Sequence, residues 1–95
     1  MHIYSKNRLH ERISEKIEED PEESFISICE AAPEGSVMGG VQRYGDTMLN
    51  EPQLKRFAEE LNRLPEDQQT AVIRQVKELT QQALSCRGYL FISGD

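Results

Sequence analysis

The 95-residue chain is expected to fold as α+β: a small, mainly antiparallel three- to four-stranded sheet with a C-terminal helical hairpin packed on one face. Three features predict this. Two consecutive amphipathic patterns, over residues 50–64 and 65–87, repeat apolar side chains at the helical period. The almost wholly apolar segment Tyr89–Ser93 follows them directly. Two strand-like runs, residues 2–5 and 25–32, lie upstream.

Taken in order, residues 2–5 alternate loosely and suit a short edge strand. Over 7–20, Leu9, Ile13 and Ile17 recur every four positions, which predicts a thin-striped helix. A strand there would turn Glu11 and Glu15 inward. Pro21 and the surrounding acids end the helix. Phe25, Ile26, Ile28 and Cys29 make residues 25–32 read as a strand, since aromatic and β-branched side chains dominate. Pro33-Glu34-Gly35-Ser36 is a turn. Residues 37–49 are the least regular part. Their three glycines suggest a bulge or bend, and parts of the segment can pair with 25–32 as a hairpin.

The first helix of the hairpin has complete start signals. Asn50 and Gln53 form a capping box, Leu49 and Leu54 occupy the staple positions, and Pro52 falls in the first turn. Leu54, Phe57, Ala58, Leu61 and Leu64 then draw one stripe. Pro65 ends that helix or starts the next, in which Val72, Ile73, Val76, Leu79, Ala83 and Leu84 draw a second. Arg87 and Gly88 stop it. Tyr89–Ser93 is apolar enough to require cover on both faces or a central place, and it is expected in the middle of the sheet.

The length allows one domain with one modest core. No stretch reaches the ~18–20 apolar residues of a membrane span, and no apolar run follows a basic start as in a signal peptide. Both observations lead to an expectation of a cytoplasmic protein without membrane contact. Cys29 and Cys86 belong to no paired motif, so two unpaired thiols are expected, and no metal site. No histidine, cysteine or serine sits in a recognisable nucleophile motif. Residues 35–40 resemble a phosphate-cradling loop only loosely: the Lys-Ser/Thr ending is missing. No cofactor is implied, and no enzymatic activity is expected. Asp46 is read as a turn cap acting on the amides of Thr47 or Met48.

Net charge is −6, and it is unevenly spread. Residues 1–50 hold five Lys/Arg against ten Asp/Glu, whereas 51–95 hold six against seven. The surplus peaks at Glu18, Glu19, Asp20, Glu22 and Glu23. This argues against direct nucleic-acid binding, whose affinity comes largely from neutralising phosphates. An acidic stretch favours a basic protein partner, or else is simply a solvated helix end and loop.

Tyr44-Gly45-Asp46-Thr47-Met48-Leu49-Asn50, followed by Gln53-Leu54, the Glu59-Glu60-Leu61 helix and a last strand running into Gly94-Asp95, resembles small acidic bacterial immunity proteins of polymorphic toxin systems. These include contact-dependent and type VI secretion systems. The resemblance covers residues 37–95. It implies a protein that binds and neutralises a cognate antibacterial toxin domain, its acidic residues blocking a basic active-site cleft of the kind found in toxins that act on nucleic acid. The implied partner-binding residues are Glu18, Glu19, Asp20, Glu22, Glu23, Met38, Tyr44 and Asp46, with Met48 a further apolar anchor. Core packing is the competing role for Met38, Tyr44 and Met48. A monomer or small homo-oligomer is expected. Two other classes fit the same sequence: an adaptor or subunit that docks a basic protein, and a small enzyme using Asp46, Tyr44 and a histidine brought together by the fold.

Overall fold

A computed structural model describes residues 1–94. Its elements run β1 (His2–Lys6), β2 (Ile17–Glu18), α1 (Ser24–Ala31), β3 (Asp46–Leu49), α2 (Glu51–Asn62), α3 (Ala71–Ser85) and β4 (Tyr89–Ser93). Short 3-10 turns occupy Met38–Gly40 and Glu66–Gln68. The four strands form one antiparallel sheet in the order β2-β1-β4-β3. The expected α+β architecture is therefore present, with the most apolar strand at its centre.

β4 is paired along its whole length with β1, from His2 opposite Ser93 to Lys6 opposite Tyr89. On its other side Asp46–Leu49 pair with residues 90–93. Because side chains alternate along a strand, Ile3, Ser5, Leu90, Ile92 and Leu49 point to one face, where all are buried. The helices cover that face. α3 lies against β1 and β4, and α2 packs on α3 and touches β4. Leu54, Phe57 and Leu61 of α2 meet Val72, Ile73, Val76, Leu79 and Ala83 of α3 in a single core cluster. The buried Ser5 hydroxyl donates to Gln82 Oε1 at 3.3 Å, and Thr80 donates back to Val76 O at 2.8 Å, so these core hydroxyls have partners.

The hairpin begins as its sequence implies. Asn50 accepts the Gln53 N–H, and Gln53 Oε1 accepts the Asn50 N–H at 2.9 Å. Its second half is shorter than the apolar pattern. Pro65 opens a 3-10 turn, Thr70 caps α3, and the left-handed residue that ends the helix region is Arg87 (φ 56°), not Gly88. Gly88 is needed for a different reason: a Cβ there would collide with the Lys6 carbonyl of β1.

Three upstream expectations are corrected. Residues 7–20 contain no helix. Leu9 is 78% exposed and Ile13 44%, so no core lies beneath their stripe. The Asn7 side chain instead accepts the N–H groups of Leu9 and Glu11, competing with helical bonding. Ser14 Oγ accepts the Ser5 N–H, and a bridge joins Lys6 to Arg12, returning the chain alongside β1. Residues 25–31 belong to helix α1, which Ala32 ends, and not to a strand. The side chains actually buried are Phe25, Ile26 and Cys29, with Ile28 and Ala32 partly so, which is a helical face; their strand-forming chemistry reflects burial alone. It follows that residues 37–49 have no 25–32 strand to pair with, and β3 pairs with β4.

Replacing Gly88 with Ala is expected to cost about 1–3 kcal/mol by forced backbone movement. Gly40→Ala, where an added Cβ meets nothing within 4 Å, should stay within about 0.5 kcal/mol of the parent. Urea midpoints of the two variants measure the contrast.

Candidate interaction surface

Three carboxylates, Glu19, Asp20 and Glu60, are turned onto the protein's own backbone. Glu19 Oε1 accepts the N–H groups of Asp20 and Phe25 (3.0 and 3.2 Å), and Oε2 accepts that of Ile26 at 2.7 Å. It thus satisfies donors at the start of α1 that no helical carbonyl can reach. Asp20 Oδ1 accepts the Ser24 N–H at 2.8 Å and Oδ2 the Ser24 hydroxyl. Those Ser24 bonds hold the Asp20 carboxyl below its ordinary range. Glu23 pairs with Arg43, whose guanidinium also grips Glu30 through Nη2 (2.6 Å) and Nε (2.9 Å). Hydrogen bonding to Arg43 lowers the Glu30 pKa, and the two carboxylates raise that of Arg43. Glu60 repeats the theme from α2, accepting the Val37 and Met38 N–H groups at 2.9 and 2.8 Å. The glycine-rich turn that loosely resembles a phosphate loop therefore spends those amides on an internal carboxylate.

Of the five acidic residues singled out by sequence, Glu19, Asp20 and Glu23 are structural partners, whereas Glu22 is exposed without a hydrogen bond or ion pair among the described residues. Glu18 is exposed on β2, its Oε1 3.8 Å from His2 Nδ1. Met38 is only 3% exposed and belongs to the core, so it is no anchor. Tyr44 (80%) and Met48 (44%) are the reverse. Asp46 is exposed on β3 and makes no turn cap among the described residues; the Thr47 hydroxyl does the local bonding, accepting the Gln42 N–H at 3.1 Å.

The sheet's second face carries no helix. Residues directly opposite in antiparallel strands share a face, so the register fixes its layout. One end is the row Glu18, His2, Ser93, Asp46. The centre is Tyr4, Phe91, Met48, with Lys16 beside it: the Tyr4 and Phe91 rings lie 5.2 Å apart, and Lys16 Nζ sits 5.6 Å from the Tyr4 ring. The far end is Arg12, Lys6, Tyr89, where Lys6 Nζ is 4.6 Å over the Phe91 ring and His10 stacks on Tyr89 at 4.4 Å. The face thus runs from carboxylates, through an apolar strip, to cations.

Sequence reasoning missed this surface because it read Tyr89–Ser93 as apolar on both sides and placed Arg12, Lys16 and His10 on a helix. The alternation His2/Tyr4/Lys6 against Ile3/Ser5 was the available signal. Elsewhere, a groove of about 480 Å3 between α1 and the end of α2 is lined by Ile28, Ala32, Met38, Glu60, Arg63 and Leu64. Neither histidine, nor Tyr44, nor Asp46 lines it or the two other surface grooves. Among the described residues no three His, Cys, Asp or Glu side chains cluster as metal ligands. Cys29 and Cys86 are free thiols, and burial pushes the Cys29 thiol up to about 12. No helix described is long and apolar enough to cross a membrane. No family model, curated protein or solved structure matches the chain.

Removing Glu19 by Ala strands two buried-end amides and is expected to cost about 1–3 kcal/mol, while Glu22→Ala should change stability by less than about 0.5 kcal/mol. Asp20, with its folded pKa below the ordinary ~3.9, contributes stability that is complete above that value and is lost as pH falls through the folded pKa. Thermal melts below about pH 4 should accordingly fall more steeply for the parent than for Asp20→Asn.

Proposed function

We propose that the protein is a non-catalytic immunity protein that binds a cognate antibacterial toxin domain through the uncovered face of its sheet and so blocks the toxin's active site. The observation that carries this reading is the row Tyr4, Phe91 and Met48, apolar side chains held side by side on a face that no helix covers among the described residues. An apolar, desolvatable centre with a charged rim is the makeup of a protein interface, where a few aromatic anchors supply most of the affinity. Tyr44, on the loop that enters β3, is a second anchor.

Charge supports the same reading, with a different cast from the acidic run as a whole. Glu18, Glu22 and Asp46 remain exposed, and they answer the basic cleft of a toxin that acts on nucleic acid, speeding encounter more than deepening affinity. Glu19, Asp20 and Glu23 belong to the scaffold. An adaptor that docks a basic protein would use the same face, and toxicity is what separates the two.

Co-expression of the toxin domain encoded beside this chain in a sensitive host tests the proposal. The parent protein is expected to restore growth. Met48→Asp combined with Tyr44→Ala should weaken the complex by about ten- to a hundredfold without shifting the melting temperature, because both side chains are exposed. Failure of the soluble, folded parent to rescue would remove the immunity function and leave the adaptor.

A further inference from the structure

We propose that the cationic end of the open sheet face is a docking site for an acidic segment of a protein partner, one in which carboxylates flank an apolar side chain. This rests on reading the face as a protein interface, but not on the partner being a toxin.

The cations are positioned by the fold. Lys6 belongs to β1, and the bridge to Arg12 sets that residue beside it on the same face. Lys16 reaches over Tyr4 from the adjoining segment. None of the three has a carboxylate within ion-pair distance among the described residues. Most of the chain's other cations share that state, so what sets these three apart is their grouping on one face. The segment that presents them is also held in shape. Asn7 Oδ1 accepts two backbone N–H groups, the Ile13 N–H donates to Ser5 O at 2.9 Å, and His10, in the left-handed region at φ 64°, stacks on Tyr89. A preformed loop loses little entropy on binding.

The surroundings select the ligand. Lysine ammoniums sit over the Tyr4 and Phe91 rings, so a ligand docking here meets positive charge and apolar surface together. Glu11 and Glu15 precede Arg12 and Lys16 in the sequence, so negative charge lies along the same segment and spaced carboxylates suit it better than a continuous run of phosphates. A peptide fits better: spaced carboxylates meet Lys6, Arg12 and Lys16, and an apolar side chain between them covers the Tyr4–Phe91–Met48 strip. The aromatic rings beside Lys6 and Lys16 keep the ammoniums on this face, where they can meet carboxylates of a docked segment.

The probe is a fluorescent peptide in which glutamates flank a single phenylalanine, compared with its lysine counterpart, oligothymidylate and phosphatidylglycerol vesicles. The parent protein should bind the acidic peptide and not the basic one. Lys6→Glu with Lys16→Glu should weaken binding by about tenfold or more, and raising salt to about 0.15 M should weaken the parent's binding too. Lys6→Gln with Lys16→Gln, a milder change checked by its melting curve, should show an intermediate loss. Absence of acidic-peptide binding, binding that both double variants leave unchanged, or tighter binding of oligothymidylate or vesicles would overturn the proposal. Because no toxin is present, a failed rescue leaves this result standing, and lost peptide binding with intact rescue removes this docking alone.

Discussion

β4 is hydrogen-bonded along both edges but covered on only one face, and the rest of the structure depends on that asymmetry. The described residues supply three α-helices, and two of them, α2 and α3, build one layer over the sheet face that carries Ile3, Leu90 and Ile92. The core is therefore two layers thick. The strand that runs through its centre presents Leu90 and Ile92 to the helices, and Tyr89 and Phe91 to the other side. The opposite face keeps tyrosine, phenylalanine and methionine within reach of solvent, partly shielded by lysine stems. In a small protein such a surface is either an unavoidable remainder or a place for a partner. The ordered charge gradient across it favours the second.

The acidic half of the chain solves a different problem. Helix α1 and the Met38–Gly40 turn are short and would leave amides unpaired at their starts. Glu19 and Glu60 each close two or more of these donors, and Arg43 ties the beginning of α1 to its later turn through Glu23 and Glu30. Much of the apparent negative charge is thus internal wiring. Of the carboxylates that stay exposed, Glu18 and Asp46 are placed by strand register at one end of the open face, a geometric role that the linear count conceals.

The C-terminal half was largely legible because its signals are local. The Asn50–Gln53 capping box, the two apolar stripes and the uninterrupted apolar run at Tyr89 each act within a few residues, and each appears where its chemistry places it. The N-terminal half depends on distant contacts. Whether Leu9, Ile13 and Ile17 form a buried stripe turns on whether anything lies beneath them, and that information belongs to β1 and β4, not to the segment. For residues 25–32, strand-like composition and helical spacing disagreed, and capping from Glu19 and Asp20 decided in favour of the helix. The interaction surface was hidden for the same reason: its residues come from β1, β3, β4 and the 7–16 segment, and only the pairing of the strands brings them into rows.

The central claim is that a protein partner covers the uncovered sheet face. Hydroxyl-radical footprinting of the protein alone and in complex with the toxin domain proposed as its partner reads side-chain cover directly at Tyr4, Tyr44, Met48 and Phe91. Protection of Met48, Phe91 and Tyr4, with Ile28 and Leu64 beside the α1–α2 groove unchanged, is the expected result. Protection confined to that groove or to residues 18–23, with the sheet-face side chains oxidised as in the free protein, would contradict it.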